Sequence, residues 1–169
     1  MKKYVLHAIL IFLVLSTIAT ATQVNEKLGP YSINFSTPAN IYTKSEITNS
    51  ETYSGAKYQT YNLSMLDKKT KKLVGSIDIE HWDTPVATEN SAIRYAIQSK
   101  FPTIQIDFYM REIDNMDGML GEMDLNPHSI SMWYYALNSQ NIVVGYSFMP
   151  WDNDTSEILD TLHVDVIRN

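Results

Sequence analysis

The side chains best suited to bind a metal ion surround one short segment, Asp114-Asn115-Met116-Asp117-Gly118. Calcium takes about six to eight oxygen ligands, often from a tight loop, which makes Asp114 and Asp117 candidate ligands. An EF-hand loop carries Glu at its twelfth position, but that position, counted from Asp114, is Leu125. The sequence leaves two interpretations: a calcium site at Asp114 and Asp117 or, as the favoured one, a plain turn at Asp117-Gly118.

Three aromatic residues, Tyr109, Trp133 and Tyr135, are candidates for a binding surface. Residues 129–137 alternate as a strand, which places Trp133 and Tyr135 opposite the main apolar face. If that second face is open, the rings can stack on sugars or on a partner protein. The alternative is that the N-terminal loop covers this face.

Catalytic residue types form no recognisable pattern. The chain has no Cys and no Gly-x-Ser-x-Gly motif. Ser129 follows His128 directly, but neighbouring side chains of an extended chain point to opposite faces. Pairs of carboxylates suited to glycoside hydrolysis can be chosen in many ways from 19 acidic residues, so they indicate nothing specific. The sequence predicts a protein that is not an enzyme and needs no cofactor, with a hydrolase as the least favoured reading.

The first 21 residues have the three regions of a secretory signal peptide. A lysine-containing start is followed by an apolar run over residues 5–15 and by the small residues Ala19-Thr20-Ala21. We expect cleavage before Thr22, and a protein that is secreted or held at the cell surface. The alternative is an uncleaved anchor, because residues 4–21 approach the length that crosses a bilayer. Membrane contact is expected only through this segment.

Composition limits the partners and the domain count. The 169 residues carry a net charge of −6, which argues against nucleic acid as a partner. The one basic cluster, residues 68–72, lies between two alternating runs and is predicted to be a hairpin turn. Residues 22–30 are predicted to be a linker, and residues 31–169 a single domain.

Three tripeptides match the acceptor pattern for N-linked glycans. They begin at Asn34, Asn62 and Asn153, and they matter only if the chain is exported. Asn153 is the favoured acceptor, because it is expected in an exposed loop.

Periodicity predicts the elements that must position these residues. Period-two alternation predicts strands over residues 31–36, 58–66 and 73–82, and further strands after residue 103. An apolar stripe predicts one main amphipathic helix over residues 84–101, and a short helix is expected near residue 158. The expected fold class is α+β, an antiparallel sheet with a central helix and a C-terminal helix.

This order, together with several short motifs, resembles the PsbP-like family. The resemblance is carried by Tyr31-Ser-Ile-Asn-Phe-Ser-Thr-Pro38, the central helix, Ile113-Asp114 with Asp117-Gly118, and the stretch from Ile158 to Leu162. It implies a PsbP-like α+β fold and a non-enzymatic binding or assembly domain.

The functional expectation combines export with the missing catalytic pattern and this resemblance. We expect an exported, non-catalytic domain that contacts a protein partner or a component of the cell envelope. The alternative is an extracytoplasmic domain that binds a small ligand or calcium.

Overall fold

A computed structural model describes residues 21–52, 55–100, 102–125, 128–150 and 154–167. Within these ranges the chain forms ten strands and two helices. The strands are β1 (Ala21–Leu28), β2 (Tyr31–Pro38), β3 (Ile41–Glu51), β4 (Lys57–Asp67), β5 (Leu73–Trp82), β6 (Asp107–Ile113), β7 (Met116–Leu125), β8 (His128–Ala136), β9 (Asn141–Ser147) and β10 (His163–Val166). The helices are α1 (Asn90–Lys100) and α2 (Ser156–Thr161).

The strands form two antiparallel sheets. The larger sheet has seven strands in the order β3-β4-β5-β9-β8-β7-β6, and the smaller has the order β1-β2-β10. After β5 the chain passes through α1 to the far edge of the large sheet. It then returns strand by strand until β9 pairs with β5. This topology leaves β3 and β6 as the edges of the large sheet.

The main core lies between the small sheet with α2 and one face of the large sheet. Alternation along β2 buries Tyr31, Ile33 and Phe35, and the same period along β4 buries Leu63 and Met65. Because successive side chains of a strand point to opposite faces, each strand supplies every second residue to this core.

Helix α1 packs on the opposite face of the large sheet. Its buried Ile93 belongs to a second apolar cluster with Met119, Tyr134 and Ile142. The helix begins at Asn90 and not near residue 84 as predicted. The backbone N–H of Val86 donates to the carbonyl of Ser139 instead, which holds the preceding segment extended against a loop.

The predicted fold class is wrong. The described chain is 62% strand and 12% helix, in two sheets with two short helices, so it is not an α+β domain built around a central amphipathic helix. The error arose because the region around β3 was read as an irregular loop or weak edge strand, and β1 as a linker. Both are exposed edge strands, whose polar residues hide the period-two signal.

The linker predicted for residues 22–30 is likewise wrong. Strand β1 pairs with the whole of β2, from Ala21 opposite Pro38 to Leu28 opposite Tyr31. Gly29 begins the tight turn between them with φ of 58°. A Cβ there would lie 2.5 Å from the Tyr61 ring, so the turn requires glycine for space as well as conformation.

The predicted turn at Asp117-Gly118 lies three residues too late. The β6–β7 hairpin turns at Asp114 and Asn115, with φ of 56° and 58°. Asp and Asn tolerate this left-handed region better than other non-glycine residues, and two such residues match the twist of a tight hairpin. Asp117 and Gly118 are part of β7, opposite Glu112 and Arg111.

Other local predictions are confirmed. Strand β2, the β4–β5 hairpin with its lysine-rich turn and helix α2 all form where the patterns placed them. Asp67 organises the lysine-rich turn by accepting hydrogen bonds from Thr70 and Asn40, which lowers the pKa of Asp67 to about 2.

Candidate functional site

A cavity of about 880 Å³ is lined by the start of β6 and the residues before it, by β7 and β8, and by the residues that follow β9. Adjacent strands place Asp107 opposite Glu122, and Glu122 opposite Ser131. We call it the acidic cavity, and its described lining is Thr103, Ile104, Gln105, Asp107, Glu122, Met123, Asp124, Ser129, Ile130, Ser131, Phe148, Met149 and Pro150.

All charged side chains among the described lining residues of the acidic cavity are negative. Three carboxylates line it, and none of the described lining residues is Lys, Arg or His. Asp124 accepts a hydrogen bond of 2.6 Å from Ser129, and Asp107 accepts one of 3.2 Å from Gln105. Glu122 accepts none from the described residues. Like charges directly opposite each other on paired strands repel. A cation bound between Asp107 and Glu122 would therefore reduce the repulsion between their carboxylates.

A second acidic group, the Asp114 cluster, consists of Asp114, Tyr135, His163, the backbone N–H of Val164, and Asp165. Asp114 is 4% exposed, and its Oδ1 lies 2.5 Å from Nδ1 of His163. Its Oδ2 accepts hydrogen bonds from the Tyr135 hydroxyl at 3.1 Å and from the Val164 N–H at 2.9 Å. The turn between β6 and β7 is thereby tied to β10 in the other sheet.

The electrostatics of the Asp114 cluster favour a charged imidazole. The hydrogen bond to Asp114, with a smaller contribution from Asp165, raises the pKa of His163. Nε2 of His163 lies 3.0 Å from the carboxylate of Asp165, so both ring nitrogens face carboxylates. Burial, followed by the charge of Asp114, raises the pKa of Tyr135. A catalytic base would turn one ring nitrogen toward a nucleophile, and this His163 does not.

The predicted calcium ligands do not form a metal site. Both oxygens of Asp114 are engaged within its cluster, while Asp117 is exposed on β7. Among the residues that the structure describes, no three His, Asp or Glu side chains are grouped closely enough to hold a metal ion. The pattern was misleading because the turn points Asp114 inward, toward β10.

The predicted aromatic surface is wrong for two of its three members. Trp133 and Tyr135 are 1% and 0% exposed, because the small sheet and α2 cover the face that they occupy. Gly145 admits the Trp133 ring, since a Cβ at this position would lie 2.2 Å from it. Tyr109 stays half exposed, because it lies on the edge strand β6.

Two of the three predicted glycan acceptors lie on described strands. Asn34 is half-buried in β2, the middle strand of the small sheet. The amide of Asn62 donates to Ser76 at 2.7 Å and to Asp78 at 2.5 Å, bonds that a glycan on the same nitrogen would break. The structure therefore argues against Asn62 as a glycan acceptor. Asn153 lies outside the described residues.

Sequence reasoning missed the network around Asp78. Asp78 also accepts a hydrogen bond from Ser76, and Asn62 accepts one from Ser64. Burial raises the pKa of Asp78. The available signal was the polar half of the alternation in β4 and β5. The network is satisfied internally, so it stabilises the sheet face beside α1 and presents little free bonding capacity.

Within the described ranges, no helix is long and apolar enough to cross a membrane; residues 1–20, which contain the predicted leader, lie outside them. Comparison with protein-family models finds no match, and neither the curated proteins nor the solved structures that were searched contain a similar chain. The resemblance to the PsbP-like family accordingly stays a prediction.

Proposed function

We propose that this chain is an exported, non-catalytic binding domain whose ligand site is the acidic cavity. The observation that carries the proposal is a cavity of about 880 Å³ with three carboxylates and no described basic residue in its lining. Ligand sites are concave, and they combine apolar walls with a few convergent polar groups. Export rests on the signal-peptide pattern of residues 1–21 alone.

The charge of the cavity selects the class of ligand. Glu122 has no hydrogen-bond donor among the described residues, and Asp107 lies opposite it on β6. An ammonium or guanidinium group placed between them would remove their mutual repulsion and supply the missing donors. An anionic ligand would meet the same repulsion with nothing described to offset it. The proposed ligand therefore carries a positive charge.

The remaining walls select its shape. Ile104 and Ile130 line the cavity, as do the side chains of residues 148–150. These apolar groups would cover a short hydrocarbon portion, while Ser129 and Ser131 offer hydroxyls next to the carboxylates. The ligand class that fits is a small organic cation with an apolar arm, such as an alkylamine or a basic amino-acid side chain.

The Asp114 cluster supports the non-catalytic part of the proposal. The two ring nitrogens of His163 face the carboxylates of Asp114 and Asp165. This arrangement holds a proton on the imidazole and directs both ring nitrogens to carboxylates. A hydrolase would need the opposite arrangement.

The test uses three probes with the same four-carbon chain: butylammonium, butanol and butyrate. Titration of the purified protein, followed by NMR shifts of backbone amides at residues 122, 129 and 131, measures each affinity. We expect butylammonium to bind with a Kd in the millimolar range, about −4 kcal/mol. Butanol should bind several-fold more weakly, and butyrate should not saturate.

Matched variants locate the site. Glu122→Gln should weaken butylammonium by about threefold to tenfold, because a partly exposed charge pair contributes about 1 kcal/mol. Asp117→Asn removes the same charge from the same strand outside the cavity and should leave the affinity unchanged. Equal binding of all three probes, shifts that map elsewhere, or equal effects of the two variants would each overturn the proposal.

A protein or envelope partner is the second candidate function. The observation that favours it is the exposed side chains along β6, where Tyr109 is 50% and Met110 is 61% exposed. Crosslinking from a photoreactive residue at position 109 would test it, with a photoreactive residue at position 47 on β3 as the control. Products of defined mass only from position 109 are expected, and equal crosslinking from both positions would count against it.

A further inference from the structure

The core-facing side of the large sheet continues past the apolar core at the end where β3 and β5 finish. Tyr61 and Ile79, which are paired residues of β4 and β5, are the last buried apolar residues on this side of their strands. Gln59 and His81 pair one step further on. Because side chains two residues apart on a strand share a face, a polar surface begins where the core ends.

A cavity of about 450 Å³ lies on this surface, and we call it the polar cavity. Its volume is within the range of about 300–1,000 Å³ that small-molecule sites occupy. It has no described lining residue in common with the acidic cavity, which lies at the opposite end of the sheet. The strand register places six of its residues in two rows, Asn49, Gln59 and His81 in the first and Glu51, Lys57 and Asp83 in the second.

The imidazole of His81 is held with one defined nitrogen toward Asn141. The amide nitrogen of Asn141 donates to the side-chain oxygen of Asn138 at 3.1 Å, which identifies the other end of the Asn141 amide as its oxygen. This oxygen lies 2.7 Å from the Tyr31 hydroxyl and 2.6 Å from Nδ1 of His81. Since an amide oxygen only accepts, Nδ1 carries the hydrogen, and in the neutral ring Nε2 is an acceptor. Nε2 has no hydrogen-bond partner among the described residues.

The two amides of the first row add donors to this acceptor. The oxygen of Asn49 accepts a hydrogen bond of 2.9 Å from Gln59, and the oxygen of Gln59 accepts one from the Tyr61 hydroxyl. Because each amide nitrogen carries two hydrogens, both residues keep N–H groups that these bonds do not use. The first row thus offers donors at Asn49 and Gln59 and an acceptor at His81.

The second row disfavours a charged ligand. Lys57 lies opposite Glu51 on β3, and its carbonyl accepts a hydrogen bond of 3.1 Å from the backbone N–H of Asp83. The charges therefore alternate in sign across the row. An added anion would lie near two carboxylates, and an added cation would lie near the ammonium group. A hydroxyl both donates and accepts hydrogen bonds, so it suits groups of either kind.

We propose that the polar cavity binds a neutral polyhydroxyl ligand of the saccharide or polyol class, with one ligand hydroxyl donating to Nε2 of His81. Other hydroxyls would accept from the amides of Asn49 and Gln59 and donate to the carboxylates of Glu51 and Asp83. This inference goes beyond the proposed function, because the site and the ligand class both differ from those of the acidic cavity.

The first test compares three six-membered-ring probes: glucose, cyclohexanol and glucuronate. NMR shifts of the backbone amides of residues 49, 59 and 81 in the full-length protein measure each affinity. We expect glucose to bind with a Kd of about 1–10 mM. Cyclohexanol has a single hydroxyl and glucuronate has a negative charge, so both should bind at least several-fold more weakly. Failure of glucose to bind, equal affinities for the three probes, or shifts confined to other residues would overturn the proposal.

Two variants locate the site. His81→Phe keeps a ring but removes Nε2, and it should weaken glucose about fivefold. Glu51→Ala removes one exposed acceptor and should weaken glucose about twofold to fivefold. The matched control is Glu46→Ala, because Glu46 is also exposed on β3 but lies on the opposite face. It should leave the affinity unchanged, and equal effects of Glu51→Ala and Glu46→Ala would contradict the assignment. Circular dichroism checks that each variant is folded.

The hydrogen position on His81 is tested without any ligand. Long-range proton–nitrogen NMR spectra at pH 8.5 should show the hydrogen on Nδ1 of His81, and a hydrogen on Nε2 would remove the proposed acceptor. The two cavities are tested separately. His81→Phe should bind butylammonium as the wild type does, and Glu122→Gln should bind glucose as the wild type does. Failure of one proposal therefore leaves the other intact.

Discussion

The acidic pair Asp107 and Glu122 and the Asp114 cluster lie at opposite ends of the β6–β7 hairpin, and their carboxylates are in opposite states. Asp114 is almost fully buried, and both of its oxygens are bonded to His163, Tyr135 and Val164. Glu122 lines an open cavity opposite another acid and has no hydrogen-bond donor among the described residues. In the Asp114 cluster both carboxylate oxygens already accept hydrogen bonds, whereas in the acidic cavity the carboxylate of Glu122 can still accept them from a ligand.

This difference separates a structural acid from a binding acid. A buried carboxylate whose two oxygens both accept hydrogen bonds holds the two sheets together. Its removal leaves the donor groups buried without an acceptor, which destabilises the fold. A carboxylate opposite a like charge contributes nothing favourable to folding, and its negative charge is free to attract a ligand. Variants of the two acids should therefore change different measured quantities.

Replacement of Asp114 should give the largest effect. Asp114→Ala leaves the Tyr135 hydroxyl and the Val164 N–H without an acceptor and places Ala at φ of 56°. We expect the free energy of unfolding in urea to fall by about 3 kcal/mol. Asp114→Asn keeps one acceptor oxygen and a residue that tolerates this φ, so it should lose about half as much. A loss from Asp114→Ala within about 0.5 kcal/mol would contradict a structural role.

Removal of one donor to Asp114 should give an intermediate effect. Tyr135→Phe deletes the hydrogen bond to Asp114 and keeps the ring, so we expect a loss of about 1 kcal/mol in urea unfolding. Tyr134→Phe is the matched control, because the buried Tyr134 hydroxyl has no partner among the described residues. It should be neutral or slightly stabilising. Equal losses from both variants would show that the bond to Asp114 contributes nothing.

The next largest effect on the free energy of unfolding should come from pH, through the ion pair between His163 and Asp114. Because the folded-state pKa of His163 is raised, its ion pair with Asp114 is fully present below the unfolded pKa of about 6.5. The stabilisation is lost as pH rises through the folded-state pKa. The carboxylate of Asp165 on β10 also faces this imidazole, and Glu112 and Asp160 line the small cavity that adjoins it.

The measurement compares urea unfolding of the wild type and His163→Gln between pH 6 and pH 9. The wild type should lose stability with rising pH relative to the variant. The loss should be no more than about 1 kcal/mol, because water screens a half-exposed pair. Parallel pH profiles for the two proteins would show that the imidazole charge does not stabilise the fold.

Glu122→Gln should have the smallest effect on stability, with the opposite sign. The substitution removes the like-charge contact with Asp107 and breaks no hydrogen bond to a described residue. We expect a gain of up to about 0.5 kcal/mol at low salt, and a smaller gain in 1 M NaCl because salt screens exposed charges. A loss of more than about 1 kcal/mol would place Glu122 with Asp114 as a structural acid.

Local patterns located much of the secondary structure. Period-two alternation was sufficient for β2, β4 and β5, because the apolar residues that alternate along each of these strands are buried. It failed for the exposed strands β1 and β3, where both faces are polar and only pairing with a neighbour reveals the strand. Too little strand was therefore predicted, and the fold class was assigned wrongly.

The candidate sites were less accessible to sequence analysis than the strands. Asp114 was recognised as a special residue, but its partner His163 is 49 residues away and the contact has no local signal. Alternation placed the rings of Trp133 and Tyr135 together on one face of β8, but it assigned them to the face opposite the main apolar one, whereas this face is the one that the small sheet and α2 cover as the main core. The acidic cavity arises from three strands and two loop segments that have no common motif.

The sequence by itself determined the acidic charge, the absence of cysteine, the leader pattern of residues 1–21 and the alternation of the buried strands. These properties depend on composition or on neighbours along the chain. Only the tertiary structure decided which acid is satisfied and which is free. Whether a carboxylate is satisfied depends on the hydrogen-bond donors within about 3 Å of it. Folding brings such donors to Asp114 from distant parts of the chain, and it brings none of the described donors to Glu122.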